Sequence, residues 1–188
     1  MFQIGKDGEL ELKLLQPQHA QSLFECIDGN REHIRGWLPW VDHSKSKEDS
    51  LSFIRSSLKE FADNQSFSGG IFMSGKLVGC IGLHRIDWNN RHSSIGYWLA
   101  ADEQGKGIMT RACRIVVCHA FEELELNKLC IQARISNVRS RSVPERLGFQ
   151  QEGVLRQHEY HDGQYHDHVL YSILRNEWAE VNAGVRNR

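Results

Sequence analysis

The stretch from Ile95 to Glu123 constrains this 188-residue chain more than any other. It reads Ile95-Gly96-Tyr97-Trp98-Leu99-Ala100, then Ala101-Asp102-Glu103-Gln104-Gly105-Lys106-Gly107, then an apolar run opening Ile108-Met109-Thr110. The first part reads as a strand ending near Ala100, the last as a helix starting near Gly107. A loop with two glycines that opens a helix is the layout of an anion site. N–H groups in the tight loop and the first helical turn lack carbonyl partners and point one way, and the helix dipole adds partial positive charge. Glycines let the backbone come close to a ligand, and Lys106 adds a full charge. The natural guest is a phosphate or pyrophosphate. The spacing is not that of a P-loop, which needs Gly-x-x-x-x-Gly-Lys-Ser/Thr. Nor is it a dinucleotide fingerprint, which needs a third glycine and an acid beyond the next strand.

The helix after the loop is apolar nearly all round, with Ile108, Met109, Ala112, Ile115, Val116, Ala120, Phe121 and Leu124, so it packs deep in the domain. Cys113 and Cys118 fall within that packing. Lys128 to Ile135 alternates as a strand, which makes a strand–helix–strand unit whose strands should be parallel. Upstream, Leu10 to Leu14 alternates as a first strand. Pro17 opens a helix whose apolar face is Ala20, Leu23, Phe24 and Ile27. Another helix runs from Ser46 or Lys47 to Ala62. Phe67 to Met73, Lys76 to Ile86 and Ser94 to Ala100 form an antiparallel meander. Downstream, 137–149 reads as a loop, a short helix and a glycine cap. Two strands joined by Asp162-Gly163 close the chain as a hairpin, and the tail from about residue 179 is polar and reads as frayed.

Composition bounds the function classes. Net charge is −1, so no strong field points to nucleic acid or a membrane surface. Five scattered cysteines, an odd number, read as reduced thiols of a cytoplasmic protein. No apolar block at the N-terminus resembles a signal peptide, and no run is long enough to span a membrane. The length suits a single domain, residues 1–188.

Several separated motifs share a family likeness. Gln104-x-x-Gly107-x-Met109 resembles the Gln/Arg-x-x-Gly-x-Gly/Ala motif of the GNAT acetyltransferases, with Met109 departing at the last position. Gly105-Lys106-Gly107-Ile108-Met109-Thr110 is similar to the RimJ/RimL branch, which acetylates ribosomal-protein N-termini. Trp37-Leu38-Pro39-Trp40 resembles a stretch of that branch beside the acceptor site. Asn137-x-x-Ser140 through Leu147-Gly148-Phe149 resembles the GNAT Asn-x-x-Ser/Ala … Leu-Gly-Phe segment, and His158-Glu159-Tyr160 followed by Gly163-Gln164-Tyr165-His166-Asp167 resembles a stretch of the RimL-type enzymes. The resemblance implies an α/β (α+β) fold: a mixed, mostly antiparallel sheet of about seven strands, helices on both faces, and a parallel pair splayed at the centre.

The resemblance further implies acetyl-CoA as cosubstrate, with no metal, and an N-acetyltransferase acting on a protein N-terminus, probing first a ribosomal protein. The alternatives are a small amine such as a polyamine or an amine-bearing antibiotic, or a binding module without turnover. The cofactor would meet Leu99, Ala100, Ala101, Gln104, Gly105, Lys106, Gly107, Ile108, Met109, Thr110, Asn137 and Ser140. A backbone N–H near Leu99 or Ala100 would serve the oxyanion. Glu159 is expected as the base, needing a raised pKa or a water relay. Ser140 is expected as the acid or as a hydrogen-bond donor to sulfur, because Pro144 stands where many GNATs carry a tyrosine. Residue type alone would make Ser140 a helix N-cap. Trp37, Trp40, Tyr97, Tyr160 and His166 are the expected acceptor-side residues. By the same resemblance the protein would be a homodimer.

Overall fold

The computed structural model describes residues 3–186, with side chains through residue 181. Eight strands form one sheet: β1 (Gln3–Asp7), β2 (Leu10–Leu14), β3 (Phe67–Met73), β4 (Lys76–Asp87), β5 (His92–Leu99), β6 (Lys128–Arg134), β7 (Gln150–His161) and β8 (Gln164–Leu174). Their order is β1-β2-β3-β4-β5-β6-β8-β7, antiparallel everywhere except between β5 and β6. Six helices accompany them: α1 (Ala20–Asp28), α2 (Arg31–Arg35), α3 (Lys47–Ala62), α4 (Ile108–Glu122), α5 (Val138–Arg146) and α6 (Arg175–Arg186).

Two of these elements differ from the sequence reading. β1 is an eighth strand, on the sheet edge. Its residues are exposed or half-buried, so no apolar alternation announces it. α6 continues through the segment expected to be a frayed tail, anchored by Trp178 at 3 % exposure and by Glu177, whose carboxylate accepts the Leu174 N–H at 2.9 Å.

Side-chain alternation divides the core between the two faces of the sheet. Ile71, Val78 and Ile81 pack with α4, while their chain neighbours Phe72, Leu77 and Cys80 pack with α1 and Ile54 of α3. Helices therefore cover both faces. Ala112, Cys113, Val116, Val117 and Ala120 of α4 have no exposed surface, and these small side chains let the helix lie close on the sheet. Burial pushes the Cys113 thiol up to about 12, so it is a packing residue.

The crossover through α4 leaves β5 and β6 parallel, but they pair only over His92–Ser94 with Lys128–Cys130. Beyond Ser94 each strand stays with its other neighbour. β5 follows β4 to Leu99, opposite Gly79, and β6 follows β8 to Arg134, opposite His168. The sheet thus opens into a V at its centre.

Candidate active site

Strand register decides which backbone groups face the V. The Ala100 N–H donates to the Val78 carbonyl at 2.8 Å, continuing the β4–β5 ladder. In an antiparallel ladder the N–H and C=O of one residue point the same way and alternate along the strand. Those of Ile95, Tyr97 and Leu99 therefore face the gap. This corrects the expectation for Ala100, whose N–H is taken. The Ala101 N–H is also taken, by Asn30 Oδ1 at 2.8 Å. Leu99 is the terminal β5 residue with an N–H directed into the opening.

The glycine loop follows directly. Gly105 and Gly107 adopt left-handed φ of 76° and 74°, and Gly107 is the N-cap of α4. No atom lies within 4 Å of where a Cβ would stand on either glycine. The backbone thus presents open space in front of the first-turn N–H groups of α4, which suits a pyrophosphate. Lys106 contributes less charge than its type suggests, because its ammonium pairs with Glu103 at 2.9 Å. Gln104 spans the mouth: its amide lies 2.6 Å from His33 Nε2, and its Oε1 accepts from Arg139 at 2.7 Å.

One cleft of about 1120 Å³ joins this loop to Glu159 and to two of the expected acceptor-side residues, Trp37 and Tyr97. It is lined by Leu99, Ala101, Gln104, Gly105, Gly107, Ile108, Met109, Thr110, Asn137 and Ser140, and also by Trp37, Tyr97, Trp98, Arg134, Glu159 and His168. Tyr97 crosses the V, its hydroxyl donating to the Ser140 carbonyl at 2.9 Å, and burial raises its pKa. Asn137 caps α5, its Oδ1 accepting the Ser140 N–H at 3.1 Å. Ser140 is therefore not the N-cap that its residue type suggests. Its hydroxyl is 3.4 Å from the Tyr97 hydroxyl, a weak contact that leaves it available to a ligand.

Glu159 sits at the other side of the cleft. Its Oε2 accepts from Arg134 Nε and from His168 Nε2, the latter at 3.0 Å. Burial alone would raise its pKa, but the bonds to Arg134 and His168, with their charges, outweigh burial and hold it at about 2. Of the two routes open to a glutamate base, a raised pKa or a water relay, the lowered pKa is at odds with the first and leaves the second. Burial keeps His168 below the usual histidine range, against the pull of Glu159. With Nε2–H donating, Nδ1 is the unprotonated nitrogen, and it is buried without a hydrogen-bond partner.

Three expected acceptor-side residues stand outside the lining. Tyr160 is 63 % exposed and stacks on its cross-strand partner Tyr165, ring centroids 5.0 Å apart. It alternates with Glu159 along β7, so the two cannot share a face. His166 turns its Nε2 to the His161 carbonyl at 3.3 Å. Trp40 packs on Trp98 at 6.2 Å and reaches the cleft only through it. Glu159 itself is aimed by a bulge. Between Leu155 and Glu159 β7 runs four residues against two of β8, with Gln157 at φ 50° and its N–H held by the Asp167 carboxylate at 2.7 Å. Arg134 was not singled out from the sequence; as one arginine in an alternating strand it carries no local signal.

Residues 9–150 match the family model described as acetyltransferase (GNAT) domain. The Bacillus subtilis protein YdaF is 40 % identical over 95 % of this chain and 98 % of its own length. The ribosomal-protein-serine acetyltransferase of Escherichia coli is 31 % identical over 88 % of this chain and 92 % of its own. Among solved structures, RimL, a ribosomal alpha-N-protein acetyltransferase in complex with coenzyme A, superposes with a TM-score of 0.88 at 26 % identity, covering 92 % of this chain and 97 % of that one. The microcin self-immunity acetyltransferase MccE, in complex with acetyl-CoA and AMP, does so at 0.85 and 28 %, covering 89 % and 93 %. A splayed parallel pair, a glycine loop opening α4 and these likenesses together identify the chain as an acetyltransferase of the GNAT family.

Proposed function

We propose that this acetyltransferase transfers acetyl from acetyl-CoA to the α-amino group of a protein N-terminus, a ribosomal protein being the first candidate. The observation that carries the reading is the charge of the cleft. Its lining holds Glu103 and Glu159 against Arg111, Arg134, Arg139 and Arg146. Glu103 is paired with Lys106, Arg111 with Asp7 and Arg134 with Glu159, so the excess of positive charge comes from Arg139 and Arg146. A cationic cleft suits a polyanionic cofactor, and it disfavours a polyamine, which would bring several positive charges to a single carboxylate. One ammonium beside Glu159, walled by Trp37, fits the end of a peptide. Relatives named as ribosomal-protein acetyltransferases support the same reading.

The backbone of Gly105 to Thr110 is the pyrophosphate cradle in this reading. The outward-facing groups of Tyr97 and Leu99 pair with the amide-bearing arm as an added strand would. Acetyl-CoA supplies the activated thioester. An α-amino group has a pKa of about 7.7–8.0, so a useful fraction is unprotonated near neutral pH, and only that form attacks. Glu159 orients the amine, and the proton that the amine loses goes to a water molecule, because at its low pKa the carboxylate does not take it up. The Leu99 N–H donates to the oxygen on which negative charge develops. Ser140 donates a hydrogen bond to the departing sulfur.

Labelled acetyl-CoA, offered to a mixture of ribosomal proteins beside a panel of polyamines and read by mass spectrometry, tests the reading. Label on one protein N-terminus, lost in Glu159→Gln, is the expected result. Label confined to small amines overturns the acceptor assignment. Bound acetyl-CoA with no label on any amine favours a binding module.

A further inference from the structure

Arg134 is a buried charge, its side chain 7 % exposed at the end of β6. A buried guanidinium is costly unless its donors are satisfied, and these three donors reach two separate elements, β7 and the end of α2. Nε donates to the Glu159 carboxylate on β7. Nη1 donates to the Gly36 carbonyl at 3.0 Å, at the end of α2. Nη2 lies 2.8 Å from His161 Nδ1. The guanidinium also stands 6.0 Å from the centroid of the Trp37 ring. A planar fork with five donors can make these bonds at once, and a lysine cannot. Arg134 and His168 both bond Glu159 through Oε2, so Oε1 is the oxygen left for a ligand.

We propose that Arg134 is a positioning residue for the acceptor amine: it ties the Trp37 loop to Glu159 and keeps that carboxylate ionised, with one oxygen presented to an ammonium. The proposal rests on the reading of Glu159 as the acceptor-side carboxylate, and it holds for an α-amine or a small amine alike. It adds that amine recognition, not acetyl-CoA binding, depends on Arg134. The ionisable groups around Glu159 are Arg134 from β6, His158 and His161 from its own strand, and His166 and His168 from β8. Asp162 lies 3.8 Å from His161 Nε2, and Asp167 is committed to the Gln157 N–H. Beside the Trp37 loop, Arg35 is paired with Asp42 at 3.3 Å.

Arg134→Met and Arg134→Lys test it with three readouts: acceptor KM, acetyl-CoA Kd by calorimetry, and the titration of the Glu159 carboxyl by carbon NMR, assigned with Glu159→Gln. Losing one charge-assisted contact predicts an acceptor KM raised about tenfold or more in Arg134→Met. Acetyl-CoA Kd should stay within about twofold, and Glu159 should titrate near or above the ordinary value of about 4.3. Arg134→Lys keeps the charge without the fork and should fall between. If Arg134→Met does not fold, His168→Leu removes the second donor from the same oxygen, and its acceptor KM should rise several-fold. An unchanged acceptor KM overturns the proposal, as does a parallel loss of acetyl-CoA affinity. The carboxyl titration needs no turnover, so it separates failure here from failure of the N-terminal reading. An unmoved Glu159 titration in Arg134→Met refutes the proposal even if no acceptor is found.

Discussion

Gly107→Trp separates the strain at the helix N-cap from the loss of a ligand site. Gly107 has φ 74°, a conformation that costs an L side chain about 1–2 kcal/mol. A Cβ there meets no atom within 4 Å, so the side chain leaves the backbone into open space. For a chain of this size each kcal/mol lowers Tm by about 2–4 °C, so the melting point should fall by about 2–8 °C. The indole would occupy the space assigned to the pyrophosphate. Each backbone N–H bond to a charged phosphate contributes about 1.5–3 kcal/mol, and losing two weakens acetyl-CoA by a factor of about 10²–10⁴. Gly163→Trp is the control. Gly163 has φ 77°, an equally open Cβ position, and sits in the β7–β8 turn away from the cleft. Both variants are melted by calorimetry and titrated with acetyl-CoA. The two should lose similar stability, and only Gly107→Trp should lose the cofactor. Equal acetyl-CoA affinity in the two variants would refute the placement of the pyrophosphate.

Ser140→Ala should lower kcat by about 10²-fold if the hydroxyl assists the departing sulfur, with acetyl-CoA Kd nearly unchanged. Because Asn137 and not Ser140 caps α5, the melting point should hold, and an unchanged kcat removes the role. Asn137→Ala should cost about 1 kcal/mol of stability through the lost cap, read as a fall in the urea midpoint. If stability is kept while acetyl-CoA affinity falls, the side chain serves the cofactor instead. Glu159 titrates at about 2 in the folded protein, below the ordinary glutamate value of about 4.3. Its pairing with Arg134 and His168 therefore stabilises the fold above about pH 4.3, and that contribution is lost as pH falls toward 2. Melting wild type and Glu159→Gln from pH 7 down to pH 3 should show the gap between them narrowing below about pH 4.3. A gap independent of pH would mean the carboxylate is not held ionised by its neighbours.

The glycine-loop side of the cleft was legible in the sequence because it is one continuous segment from β5 through the loop into α4. The alternation of Ile95 to Leu99, the two glycines and the apolar α4 each carry a local signal, and the structure joins them in chain order. The Glu159 side is built otherwise: Arg134 of β6, Glu159 and His161 of β7 and His168 of β8 meet through the sheet order β6-β8-β7, and Gly36 joins them from the end of α2. The bulge before Glu159 has no glycine to mark it. Gln157 takes its positive φ, and a carboxylate ten residues later, Asp167, holds its N–H. The family motif around Glu159 carries Tyr160 and His166 along with it, although Tyr160 faces the other way and His166, the cross-strand partner of Glu159, turns its ring to the His161 carbonyl. Arg134, one arginine in an alternating strand, has no such motif to mark it. A motif near Glu159 can thus identify the carboxylate without revealing what sets its charge. A relative that keeps Glu159 but lacks a guanidinium at the position of Arg134 should carry a more basic carboxylate there, because burial would then act against fewer compensating bonds.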